Sequence, residues 1–252
     1  MENPLSPISE GFRTLRSNLD FISIEKPIRS LVITSPSSSE GKSTLALNLA
    51  AIFAQSGRKV ILLDADFRKP AIHRLLGISK QKGLVDLLRD PNRIEDVMHS
   101  VEGLPLKVIL TGDIPPNPAE LLASEPMEKI IQMLVELADL VIIDTPPTIL
   151  SDPVVLSAKV DGVLIVLRPG ETKIEDAQVM MEQLKRSGAR VVGAVLNPIT
   201  RKNSKYYTKY KYYSYYYYGS RKDHKHPKKG GGQKGGSQAP TVEKDSNRDQ
   251  TD

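Results

Sequence analysis

The chain has 252 residues, no cysteine, and 35 Lys+Arg against 30 Asp+Glu for a formal charge of +5. That length suffices for one α/β domain with a substantial buried core. The lack of cysteine excludes disulfides and thiolate metal sites, and no apolar run reaches the roughly 18 residues that a membrane-spanning helix needs.

In chain order, residues 1–9 are polar, contain proline and carry no signal-peptide pattern. The protein is therefore expected in the cytosol, or held at a membrane by something else. A first helix is predicted over about 8–22. No strand precedes it, so it is expected to pack on the outside or on a neighbouring subunit. Short β-branched runs follow at 30–34, 59–63, 107–110, 140–143, 162–166 and 190–196, and each reads as a strand buried on both faces. Helical patterns at 43–55, 118–137 and 173–187 lie between several of them. Strand alternating with helix predicts an α/β fold, a mostly parallel sheet flanked by helices on both faces, over residues 1–200.

The first strand runs into Pro36-Ser37-Ser38-Ser39-Glu40-Gly41-Lys42-Ser43-Thr44 and then a helix, the context of a phosphate loop and so of a P-loop NTPase fold. Backbone N–H groups of Ser38, Ser39, Glu40, Gly41, Lys42, Ser43 and Thr44 are expected to converge on the phosphates of ATP. Lys42 should reach the β- and γ-phosphates, and the Ser43 hydroxyl should ligate Mg²⁺. The strict pattern places glycine five positions before Gly41, where this chain has Pro36.

Asp64 and Asp66 follow the second strand with a spacing that puts both carboxylates on one side of an extended chain. They fall at a strand's C-terminal end, where open α/β sheets bind ligands. Asp144 closes Leu140-Val141-Ile142-Ile143, as a metal-holding acid of a Walker B segment does. Solvated turn carboxylates, and for Asp144 a cap ahead of Pro146-Pro147, are the plain alternatives.

Beyond Pro198 the aliphatic pattern stops. Residues 201–252 hold 13 Lys+Arg and 5 Asp+Glu, and read as a disordered, basic, tyrosine-rich C-terminal tail. All nine tyrosines of the protein lie there: Tyr206, Tyr207, Tyr210, Tyr212, Tyr213, Tyr215, Tyr216, Tyr217 and Tyr218. Interleaved with Lys205, Lys209 and Lys211, they suit either stacking on single-stranded nucleic acid or service as phosphoryl acceptors on a flexible tether. An acceptor phenol needs a carboxylate to orient it or take its proton, and the Asp64/Asp66 pair offers one.

Over residues 8–218 the chain resembles the bacterial tyrosine kinases of the P-loop type, which control capsule and exopolysaccharide export. The resemblance is carried by Glu10-Gly-Phe-Arg13-Thr-Leu-Arg16, Glu40-Gly-Lys-Ser-Thr44, Leu62-Leu-Asp-Ala-Asp-Phe-Arg-Lys-Pro70, Ile114-Pro-Pro-Asn-Pro-Ala-Glu-Leu-Leu122, Val141-Ile-Ile-Asp-Thr-Pro-Pro147 and the tyrosine cluster. It implies catalytic roles for Lys42, Asp64 and Asp66, a Mg²⁺ site at Ser43, Asp66 and Asp144, and nucleotide contact by Asn197. A turn-forming Asn before Pro198 is the competing reading of Asn197.

It further implies a ring-like homo-oligomer built through Glu10, Arg13 and Arg16, with subunits phosphorylating one another's tails. A membrane-embedded activator or adaptor protein and a phosphotyrosine phosphatase are the implied partners, with the chain cytoplasmic and recruited to the inner face of the cell membrane. No nucleic-acid partner is expected on this reading. The chain departs from the family where Ser38-Ser39 replace a usual Pro-Gly, since serine adopts positive φ less freely than glycine. A partition-type ATPase is a rival, but such proteins carry a lysine where this chain has Ser37. An ATP-regulated nucleic-acid binder using the tail is a second.

Overall fold

The computed structural model describes residues 7–79 and 82–197. The tail and its tyrosine cluster lie outside them. The elements, in chain order, are α1 (Pro7–Glu25), β1 (Ser30–Thr34), α2 (Lys42–Gln55), β2 (Val60–Asp64), α3 (Ile72–Leu76), α4 (Leu84–Arg89), a 3₁₀ turn (Pro91–Arg93), α5 (Ile94–Val97), β3 (Met98–Ser100), β4 (Leu106–Ile109), α6 (Pro118–Ala123), α7 (Glu125–Leu137), β5 (Leu140–Asp144), α8 (Asp152–Ser157), β6 (Gly162–Leu167), α9 (Ile174–Arg186) and β7 (Val191–Leu196).

The strands assemble in the order β3-β4-β2-β5-β1-β6-β7. Every neighbouring pair is parallel except β3 with β4. Alternate residues of each central strand feed opposite faces. Leu31, Ile33, Leu62, Ile142 and Leu164 meet α2 through Leu45, Leu49 and Phe53, with Leu19 of α1 and Ile72 of α3. Val32, Ile61, Leu63, Val141, Ile143, Val163 and Ile165 meet the other layer, through Leu84, Leu87, Ile130, Leu134, Leu156, Met180 and Leu184. Near-continuous apolar runs are thus explained: both faces of each central strand are covered, as the sequence predicts.

Three differences from the sequence reading have local causes. The single helix predicted over 118–137 is two, α6 and α7, broken at Ser124, whose backbone is extended and whose side chain caps α7 by accepting from the Met127 N–H. Pro126 has no N–H to give the Leu122 carbonyl, so an unbroken helix would lose a bond there. The helices α3, α4, α5 and α8 are each six residues or fewer, too short for an amphipathic period to register. The antiparallel edge strand β3, Met-His-Ser, has no apolar alternation of its own and forms by pairing with β4.

β1 lies inside the sheet, with the central strand β5 on one side and β6 on the other. The chain moves from β1 toward β2 in one direction and crosses from β5 to β6 in the other, so the C-terminal end of β1 opens on a crevice. Asp161 fixes the opposite end of β1: its Oδ2 accepts from the Arg29 N–H at 3.0 Å, the Ser30 N–H at 2.9 Å and the Ser30 hydroxyl at 2.9 Å. Replacing Asp161 by Ala leaves those donors unmatched and is expected to lower unfolding free energy by about 2 kcal/mol in urea titrations, with m unchanged.

Candidate active site

β1 ends at buried Thr34, whose hydroxyl donates to the Pro146 carbonyl at 3.0 Å. The loop that follows turns through two left-handed residues, Ser39 (φ 63°) and Gly41 (φ 93°), before α2 begins at Lys42. Serine does adopt the conformation that the sequence flagged as difficult. Gly41 is required for a second reason: a Cβ there would stand 2.1 Å from Asn197 Nδ2. That amide donates to the Glu40 carbonyl at 3.0 Å, so the end of β7 is seated on the loop.

Lys42 is buried in the first turn of α2, and its ammonium folds back to donate to Ser35 Oγ at 2.9 Å and the Ser37 carbonyl at 3.4 Å. Burial lowers its pKa, while Asp144, Asp66 and Glu40 act in the opposite direction. The cation is therefore held in a cup of loop oxygens with carboxylates nearby.

Asp64 and Asp144 are register partners at the ends of β2 and β5 and are fully buried. Asp64 accepts from the Asp66 N–H at 3.3 Å and the Ile72 N–H at 3.2 Å, so it organises the turn that leads to α3. Burial pushes its carboxyl up to about 7, against the pull of those N–H groups. Asp66 Oδ1 takes the Arg68 N–H at 3.1 Å and the Lys69 N–H at 2.9 Å. Asp144 differs: both carboxylate oxygens are buried without a hydrogen-bond partner. Burial holds its pKa well above the usual carboxylate range and Asp64 adds to this, while the approach of the Ser43 hydroxyl, short of a full hydrogen bond, lowers it.

The strand ends thus bring together residues 38–44, Asp64, Asp66, Asp144 and Asn197, all expected there. They do not bring Glu10, Arg13 and Arg16, which lie on α1. Arg13 pairs with Glu10 at 3.1 Å on the exposed face, whereas Arg16 Nη1 turns inward to the Ile52 carbonyl of α2 at 3.5 Å. One residue gained a partner that spacing did not suggest. Arg68 makes a two-pronged pair with Asp152 at the start of α8, at 2.9 and 3.3 Å, and Asp152 is almost wholly buried. The two lie 84 residues apart, and no local pattern joins them.

Loop, acids and strand order define a P-loop NTPase. Residues 28–220 match the ParA family model, described as a NUBPL iron-transfer P-loop NTPase, and the chain belongs to that family. Nearer relatives narrow the class. The chain is 39% identical over 214 residues to tyrosine-protein kinase YwqD of Bacillus subtilis, covering 84% of this chain and 89% of the relative. It is 37% identical to the putative tyrosine-protein kinase CapB of Staphylococcus aureus, covering 82% and 92%. The kinase domain of the Escherichia coli tyrosine kinase ETK superposes with a TM-score of 0.75 at 33% identity, covering 79% of each chain. The protein belongs to the bacterial tyrosine kinases and is a nucleotide-binding protein-tyrosine kinase. The septum site-determining protein MinD of Pyrococcus horikoshii, solved with Mg-ADP, shares the fold at 22% identity and a TM-score of 0.59.

A partnerless buried carboxylate opposes folding once ionised. The folded-state pKa of Asp144 lies above its unfolded value of 3.8, so its contribution to stability is present below that pH and is lost as pH rises through the raised value. Asp64 behaves the same way up to about 7. Asp144→Asn is therefore expected to stabilise the nucleotide-free protein by about 1–3 kcal/mol at pH 8 and by less at pH 5, read by urea unfolding at both pH values.

Proposed function

We propose that this kinase transfers the γ-phosphoryl group of Mg-ATP to tyrosines of the 206–218 cluster on a neighbouring copy of the chain, and that it serves exopolysaccharide or capsule synthesis and export. The observation that carries the site assignment is Asp144: two buried acceptor oxygens with no donor, facing Ser43 at the foot of the phosphate loop. That donor set suits a hard divalent cation. Among the described residues no three His, Asp or Glu side chains converge as a self-sufficient metal cage. A site completed by nucleotide phosphates and water is what such a set requires.

On this reading Ser43, Asp144 and Asp66 hold Mg²⁺ or its water shell. When bound, the ion would supply neutralisation of the charge developing on the phosphates. Lys42 stabilises the β- and γ-phosphates, and the backbone of residues 38–44 orients them. The phenol oxygen bonds to the γ-phosphorus as the bond to the ADP oxygen breaks, and the phenol proton passes to an acid of the Asp64/Asp66 pair. Asn197 is assigned to the loop and the edge of the nucleotide site through its bond to Glu40.

Residues 1–200 form the kinase domain and 201–252 the acceptor tail. Glu10 and Arg13 present a paired, exposed face of α1 suited to a ring-forming contact with another copy. Among the described residues no helix is long and apolar enough to cross a membrane, so placement at the inner membrane face would come from a membrane-embedded activator. A phosphotyrosine phosphatase would reset the tail. Full phosphorylation would add many negative charges and open the ring by repulsion.

Incubating the full chain with Mg-ATP and mapping phosphopeptides is expected to place phosphotyrosine within 206–218, with Lys42→Met giving none. Nucleotide hydrolysis without phosphotyrosine, even with the activator present, would sink the proposal. Salt-dependent binding of single strands by the tail would then favour the nucleic-acid reading. Arg13→Ala combined with Arg16→Ala is expected to leave a smaller species in light scattering; an unchanged oligomer excludes α1 as the contact.

A further inference from the structure

We infer that Thr172, in the loop between β6 and α9, is a positioning residue for the phosphate loop, acting through the Glu40 carboxylate. The inference rests on the assignment of residues 38–44 as the nucleotide site and goes beyond it. It starts from a difficulty at Ser39. This residue holds φ at 63°, a region residues other than glycine rarely enter. Its side chain is exposed, so burial of that side chain does not hold the backbone there.

What surrounds the turn is a set of donors from two other segments. The Ser39 carbonyl accepts from Arg168 Nη1 at 3.4 Å. The Glu40 carbonyl accepts from Asn197 Nδ2 at 3.0 Å. The Glu40 side chain is almost wholly buried, and its Oε1 accepts the Thr172 hydroxyl at 2.5 Å. Its Oε2 receives the Ser37 N–H at 3.4 Å, spanning the loop from within.

Of these contacts the Thr172 bond is the shortest, and it ends on a carboxylate. Its direction is set as well. Thr172 Oγ1 accepts from the Arg168 N–H at 2.8 Å, which leaves its proton for Glu40. The segment is itself closed by the Thr172 N–H on the Arg168 carbonyl at 2.9 Å and by the Arg168–Glu171 ion pair at 2.9 Å. A pre-shaped turn after β6 therefore clamps Glu40, and Glu40 clamps the strained turn. Where glycine would adopt this backbone at little steric cost, the serine loop is held there from outside.

The test is equilibrium titration of the full chain with a fluorescent ADP analogue and Mg²⁺, a readout independent of tyrosine transfer. Thr172→Val keeps the volume and removes the hydroxyl, and it should weaken binding ~10-fold. Thr172→Ser should bind as the parent does. Ser39→Gly added to Thr172→Val should recover most of the affinity, because the turn then no longer needs the clamp. Urea unfolding of each nucleotide-free variant separates this from a folding role. Unchanged affinity in Thr172→Val overturns the inference, as does a lowered unfolding midpoint with unaltered affinity. Failure of Ser39→Gly to restore binding overturns it too. Lys42→Met serves as a separate control: if it binds nucleotide like the parent, the loop assignment itself fails, whatever Thr172 does.

Discussion

Charge confined at the C-terminal ends of β2 and β5 sets the terms for this molecule. Asp64 and Asp144 stand in register on adjacent strands, fully buried, with the Lys42 ammonium brought in from the start of α2. Adjacent carboxylates in a low-dielectric interior repel, and each loses water it cannot easily replace. The fold meets this in different ways at each acid. Asp64 is satisfied by backbone N–H groups of the turn it begins, and Asp66 by the N–H groups of Arg68 and Lys69. Asp144 is left with none. An arrangement that costs stability in the free protein is the kind that binding of a cation and nucleotide would repay, and functional sites are where such strain is retained.

The same ends of the sheet explain why distant segments converge. β1 lies between β5 and β6, so its loop is bordered by the segment after β5 and by the segments after β6 and β7. Thr148 bonds the Ser35 carbonyl through its N–H at 2.8 Å, Thr145 bonds the Ile33 carbonyl through its hydroxyl at 2.9 Å, and Asn197 and Thr172 reach Glu40. The loop is a short irregular stretch wrapped by three others, and its shape belongs to all four. Arg68 and Asp152 extend this bracing to α8, making the acid-bearing turn after β2 part of the same unit.

On the far face, α1 packs on α2, the helix that begins with Lys42. Leu19 is buried there and Arg16 bonds the Ile52 carbonyl, while Phe21 and Ile24 remain exposed. Arg190, at the entry to β7, donates to the Lys26 carbonyl at 3.0 Å and so ties the chain just beyond α1 to the strand whose other end touches the loop. The surface on which copies are proposed to meet and the site where nucleotide is proposed to bind are therefore joined through one helix and one strand.

The sequence by itself determined the class of fold and the chemistry. Uninterrupted β-branched runs specify buried parallel strands, and Gly41-Lys42-Ser43 after a strand specifies a phosphate loop. Those signals are local: a few contiguous residues carry the geometry. Six of the seven described strands were legible this way, as was the difficulty at Ser39. The short helices were not, because four to six residues carry no period, and β3 was not, because its structure comes from its partner. Only the tertiary structure decided which acid is satisfied and which is orphaned, that Arg16 turns inward, and that Thr172 and Asn197 meet at Glu40. Those outcomes depend on contacts between residues 36 to 157 positions apart, or on burial that neighbouring sequence does not encode. The loop around Lys42 could be recognised from its own residues; what holds it in shape lies on the strands beside it.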